Sequence, residues 1–180
     1  PPPLPAGDAG ATTEIRSMPK GIVGIIGPWN FPVHLILGPL VCVLAAGNRA
    51  MLKPSEITPK TALLIDSMIR EFFDPTEIAV VLGGAKVSEE FSQLPFDHLM
   101  FTGSTTVGRH VMRAAAENLT PVTLELGGKS PVVIDKDVDL SIVAARIMAG
   151  KLFNTGQVCV SPDYAFVPDE LLRPLIAELE

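Results

Sequence analysis

Gly21-Ile22-Val23-Gly24-Ile25-Ile26-Gly27-Pro28-Trp29-Asn30-Phe31-Pro32, leading into an apolar stretch over residues 33–46, decides the fold. Its first six residues are a short apolar, β-branched run without polar alternation, the pattern of a strand buried on both faces. A Pro-punctuated turn ends it. Residues 33–46 then read as a buried helix stopped by Gly47. That stretch contains His34 and Pro39 and falls short of the ~20 residues needed to span a bilayer.

The same unit recurs downstream. Strands are expected at 50–53, 78–82, 98–101 and 122–126, each ended by Pro or Gly. Between them lie helices at 59–73, 87–94 and 107–118. The first of these carries Leu63, Leu64, Met68, Ile69 and Phe72 near helical spacing, with Thr58 as candidate N-cap. Strand and helix alternate about five times, which predicts an α/β, Rossmann-like parallel sheet with helices on both faces. After Gly127-Gly128 the rhythm changes. A strand at 131–134, a helix at 139–152 behind an Asp-rich turn, a strand at 164–167 and a helix from 169 onward read as the start of a second α/β domain. The expected organisation is an irregular Pro/Gly-rich arm at 1–20, a dinucleotide-binding domain at 21–126 and the first part of a catalytic domain at 127–180.

Composition excludes several classes of function. Of 180 residues 47% are hydrophobic, enough for a sizeable core, and the net charge is −6 with 14 scattered basic residues. This argues against nucleic acid and gives no polybasic membrane patch. Two cysteines without a CxxC suggest no disulfide framework and a reducing, cytoplasmic location. His34, His98 and His110 stand far apart, with no Cys or carboxylate at ligand spacing, so no metal is assigned. The chain opens Pro1-Pro2-Pro3 rather than with Met and is expected to be a piece of something larger.

In such sheets ligands sit beyond the carboxyl ends of the strands. After the first strand, the prolines stiffen the turn that carries Asn30, so its amide could serve one fixed point as an oxyanion donor. The alternative is that Asn30 caps the following helix. After the second comes Lys53-Pro54-Ser55-Glu56, able to hold the two hydroxyls of a ribose, or simply an exposed ion pair in a turn. After the fourth, Phe101-Thr102-Gly103-Ser104 feeds a helix N-terminus suited to a phosphate. Gly103 and Gly108 are spaced as in an NTPase phosphate loop, but Arg109 and His110 follow where that loop needs Lys and Ser/Thr. The NTPase reading is rejected. The G-x-G-x-x-G fingerprint is also absent.

Cys159 sits in the polar, Gly- and Pro-punctuated loop Asn154-Thr155-Gly156-Gln157-Val158-Cys159-Val160-Ser161-Pro162, a setting for a reactive thiol. Cys42, within Leu40-Val41-Cys42-Val43-Leu44, reads as a core residue. Glu125 lies in the apolar run Leu124-Glu125-Leu126-Gly127-Gly128, where burial would raise its proton affinity toward that of a useful base. Backbone N–H groups could instead satisfy it.

Five motifs in order, Pro28-Trp29-Asn30-Phe31-Pro32, Lys53-Pro54-Ser55-Glu56, Phe101-Thr102-Gly103-Ser104, Glu125-Leu126-Gly127-Gly128-Lys129-Ser130-Pro131 and Gly156-Gln157-Val158-Cys159, resemble the aldehyde dehydrogenase superfamily. The resemblance runs from about Gly21 to the C-terminus. Phe96-Asp97-His98, residues 118–123 and Ser161-Pro162-Asp163-Tyr164 are similar to its class 3 and fatty aldehyde branch.

The resemblance implies Cys159 as nucleophile, Asn30 with the Cys159 N–H as oxyanion donors, and Glu125 as the base that activates water. It implies an NAD cofactor, with NADP possible. Lys53 and Glu56 would hold the adenosine ribose, Ser104 the pyrophosphate and Val107 the adenine, with Leu126 and Gly127 near the nicotinamide. Pro28, Trp29, Ser55, Gly103 and Gly108 complete the implied cofactor site. The implied substrate is a small-molecule aldehyde, aromatic and coniferyl-type, or else of medium or long chain. The implied parent is a homo-oligomer, a dimer. Val160 departs from the Ala or Cys that often follows the nucleophile in that family, which would narrow the substrate tunnel. Segments on both sides of this piece are expected to be needed, so that the piece alone could bind nucleotide without turnover.

Overall fold

A computed structural model describes residues 14–180; most of the arm expected at 1–20 lies outside the described residues. Strand β1 (Ile22–Ile26) is central to a five-stranded, wholly parallel sheet with β2 (Arg49–Lys53), β3 (Ile78–Val80), β4 (His98–Gly103) and β5 (Val122–Leu126). The spatial order is β3-β2-β1-β4-β5. Crossover helices α1 (His34–Ala45), α2 (Pro59–Phe72), α3 (Ala85–Ser92) and α4 (Thr105–Ala116) join consecutive strands.

The period of two along each strand explains the layers. Val23 and Ile25 of β1 join Ala50 and Leu52 of β2 in one core, packed by Ile36 and Leu40 of α1 and Ile65 and Ile69 of α2. Ile26 and Met51 go to the opposite face, where Leu99 and Phe101 of β4 meet Phe91, Phe96, Val111 and Ala115. Gly24 is on this second face, and a Cβ there would come within 2.8 Å of Phe96 and Leu99 side-chain carbons. Its lack of a side chain admits the two large ones.

Beyond β5 the chain leaves this sheet. Strands β6 (Ser130–Val133) and β7 (Pro162–Phe166) form a separate parallel pair, crossed over by α5 (Leu140–Leu152) and followed by α6 (Asp169–Leu179). A third core cluster around Ile134, Ala144 and Leu175 holds this part. As expected of the Asp-rich turn, Asp139 caps α5, accepting from the Ser141 and Ile142 N–H groups. These donors hold its carboxyl below the usual range.

Several expectations from sequence need correction. Helix α1 is buried only along Ile36 and Leu40, and Cys42 lies exposed on its other side rather than in the core. On α2 the buried stripe is Ala62, Ile65 and Ile69, while Leu63, Leu64, Met68 and Phe72 are exposed. Leu64, Met68 and Phe72 share a helical face, but the sheet meets the neighbouring one. Thr58 occupies the N-cap position of α2 as expected, its carbonyl accepting from the Ala62 N–H at 3.0 Å, but its side chain makes no capping hydrogen bond. Helices α3 and α4 each begin two residues earlier than expected. Among the described residues no helix is long and apolar enough to cross a membrane, and no three His, Cys, Asp or Glu side chains group to hold a metal.

Candidate active site

A cleft of about 1090 Å³ opens at the carboxyl ends of β1, β4 and β5. Pro28, Trp29 and Asn30 enter it from the turn after β1, and Ser55 and Glu56 from the segment after β2. Gly103, Ser104 and Val107 line it from the end of β4 and the start of α4. Glu125, Leu126 and Gly127 come from the end of β5, and Cys159 from the loop before β7. Of the expected site residues, Lys53 and Gly108 stay off its wall. Gly108 is instead buried in α4, where an added Cβ would lie 2.8 Å from the Leu126 side chain. Its role is to let α4 close on β5.

Asn30 does not cap α1, whose first turn has no side-chain cap. Its Nδ2 donates to the Gln157 carbonyl at 2.8 Å, linking the turn after β1 to the Cys159 loop across 127 positions. One N–H of the amide is thereby engaged, and the second remains for a ligand oxygen. Cys159 follows two positions after that carbonyl and is exposed, as its polar loop suggested. Glu125 is exposed too, so the burial expected of it is not found. The apolar run around it belongs to an edge strand whose last residues reach the cleft.

Lys53 corrects the reading of an exposed ion pair. Its side chain is 1% exposed, whereas that of Glu56 is 44% exposed, with 3.6 Å between Nζ and the carboxylate. The ammonium donates to the Pro54 carbonyl at 2.9 Å. Burial lowers its pKa, and the Glu56 charge pulls in the opposite direction. The Glu56 carboxylate on the cleft suits a polar ligand edge such as vicinal hydroxyls, with the buried ammonium behind it. Ser104 caps α4, its Oγ accepting from the Val107 N–H at 3.3 Å. The other first-turn N–H groups precede the first intrahelical bond and lie where an anion would be favoured. The arrangement fits a dinucleotide: a carboxylate for hydroxyls at Glu56, a helix N-terminus for phosphate at Ser104 and an apolar wall at Val107.

Sequence reasoning missed part of that wall. His110, Val111 and Ala114 of α4 line the cleft, as do Ala85, Ser88 and Gln93. The signal was available, since Val107, His110, Val111 and Ala114 share one helical face.

The fold is shared with known proteins. The chain belongs to the aldehyde dehydrogenase family, matched over residues 3–180. It is 54% identical over 169 residues to the coniferyl aldehyde dehydrogenase of Pseudomonas sp. (strain HR199 / DSM 7063), an alignment covering 94% of this chain and 35% of that protein. Among solved structures, Staphylococcus aureus AldH in a substrate-bound state superposes with a TM-score of 0.88 at 46% identity, over 90% of this chain and 35% of the other. Mycobacterium tuberculosis aldehyde dehydrogenase complexed with NAD+ gives 0.83 at 37%, over 89% and 34%. The chain thus spans about 35% of the length of the relatives it matches.

Proposed function

We propose that the parent of this chain oxidises an aldehyde to the carboxylic acid, with NAD or NADP as hydride acceptor and Cys159 as covalent nucleophile. The observation that carries this reading is the shared cleft, which puts Cys159, Asn30 and Glu125 on one cavity with Glu56, Ser104 and Val107. The Cys159 thiol loses its proton to solvent water, Sγ bonds to the carbonyl carbon, and the C=O π pair moves onto the oxygen. Asn30 and the Cys159 N–H stabilise the oxyanion of the resulting thiohemiacetal. What a bound nicotinamide dinucleotide supplies is a hydride acceptor at that carbon. At the thioester stage Glu125 takes a proton from water, the hydroxyl adds to the carbonyl, and the C–S bond breaks to release the acid and regenerate the thiolate.

The coniferyl type of substrate is supported by the name of the Pseudomonas relative and by the apolar lining of Phe31, which stacks on Phe153 at 6.0 Å. An aromatic aldehyde would meet a surface of its own kind there. The test is NADH formation by the intact parent across aromatic and aliphatic aldehydes. Higher kcat/KM for a long-chain aldehyde than for coniferyl aldehyde would move the assignment to the fatty aldehyde branch. Dinucleotide binding without turnover on any aldehyde would leave a binding module. The same reading makes the parent a cytoplasmic homo-oligomer, in keeping with the dimer that the sequence resemblance implies.

Cofactor preference follows from the ribose pair. A 2′-hydroxyl can donate to Glu56, whereas a 2′-phosphate brings like charge against it. Lys53 offsets this only in part, since its ammonium is buried and already bonded to Pro54. NAD should therefore exceed NADP in kcat/KM, and Glu56→Gln should narrow the gap by roughly 1–2 kcal/mol, the worth of one charge-assisted hydrogen bond. Measuring both cofactors on both proteins checks this. Equal or better NADP use by the wild type would mean that the carboxylate swings aside.

A further inference from the structure

The loop before Cys159 is held in an unusual backbone. Asn154 (φ 46°, ψ 38°), Thr155 (φ 56°, ψ 30°) and Gly156 (φ 79°) are three left-handed residues in a row. Glycine adopts this region freely and Asn tolerates it, but Thr, β-branched, does not. Such a run persists only where surrounding contacts over-determine it. The contacts are specific. Asn154 Nδ2 donates to the backbone carbonyl of Asn30 at 3.1 Å and approaches the Gln157 carbonyl at 3.5 Å. Asn30 Nδ2 donates to that same Gln157 carbonyl at 2.8 Å, and the Gln157 N–H returns to the Asn154 carbonyl at 3.0 Å. A closed ring of hydrogen bonds therefore joins Asn30, Gln157 and Asn154 across more than 120 positions of chain.

We propose that Asn154 is a positioning residue for the chemistry at Cys159. Its amide locks the nucleophile loop to the backbone of Asn30, and the shared Gln157 carbonyl orients the Asn30 amide with its second N–H toward the reacting oxygen. Asn154 is absent from the cleft wall, which Asn30, Gln157 and Cys159 all line, so it acts through them. This rests on the function proposed above. A side chain with no donor at 154 leaves the Asn30 carbonyl without that partner and frees the loop to shift relative to the oxyanion donors. A displacement of about 1 Å at such a site costs on the order of 10²-fold in rate.

The test uses Asn154→Gly and Asn154→Asp in the intact parent. Glycine keeps the left-handed backbone and deletes the amide; aspartate keeps size and backbone preference but presents an acceptor to two carbonyls. Each should lower kcat about 10²-fold with KM for aldehyde within threefold, and dinucleotide affinity should hold within twofold. On an Asn30→Ala background, Asn154→Gly should cost less than threefold more, because the partner it orients is gone. A merely structural role would instead lower Tm and add its full effect on that background, and that additivity would overturn the proposal. So would a kcat within threefold of wild type for both variants.

Hydrogen exchange gives a readout independent of turnover. Asn154→Gly should speed exchange about tenfold in peptides spanning residues 154–161 and leave the five-stranded sheet unchanged. Absence of that acceleration would also overturn the clamp. A wild-type parent that oxidised no aldehyde would sink the function proposed above, and the exchange result would then decide the clamp alone.

Discussion

Cys159→Ala in the intact parent should abolish aldehyde oxidation, by at least ~10³-fold, while leaving dinucleotide affinity nearly unchanged. The variant deletes one sulfur and keeps the backbone N–H that serves the oxyanion. The proposed dinucleotide contacts belong to other elements: Glu56 follows β2, and Ser104 and Val107 open α4. Their geometry does not depend on the thiol. Trp29 lines the same cleft, so quenching of its fluorescence is one route to the affinity. Alkylation gives a second check. Cys42 and Cys159 are both exposed, so iodoacetamide should label two sites of this segment in the wild type and one in the variant. Turnover within tenfold of wild type would remove Cys159 from the mechanism.

Glu125→Gln should separate the two halves of the reaction. The first half needs the thiol and the oxyanion donors, which the substitution leaves in place. The second needs a base for water, and a neutral amide cannot accept that proton. A burst of NADH close to one per active site should precede a steady state lowered by ~10²–10⁴-fold. An unaltered steady-state kcat would end the proposed base role.

Much of this was legible in sequence because it rests on local chemistry. The apolar run at 21–26 and the Gly and Pro stops placed β1 to β5 within a few residues, since backbone propensity and turn residues act over short range. Motif residues after each strand were legible for the same reason: a parallel sheet puts its strand ends on one side, so positions just after strands converge. The polar loop marked Cys159 without any knowledge of its neighbours.

Contacts distant in sequence were not legible. Nothing in Lys53-Pro54-Ser55-Glu56 says that the lysine is buried and the glutamate exposed; that follows from the lysine closing a central strand against the sheet. The choice between Asn30 as a helix cap and Asn30 as a link to the Cys159 loop required the loop to be in place, 127 positions away. Glu125 looked buried because its sequence neighbours are apolar, yet β5 is an edge strand and its end is open. The exposed stripe on α2 misled for a related reason, since hydrophobic spacing names a face without naming what covers it. Local residue chemistry set the succession of strands and helices, the sheet class and the family motifs. Burial, hydrogen-bond partners and the left-handed backbone at Asn154 emerge from the folded chain, because each depends on groups brought together by long-range closure rather than on local grammar.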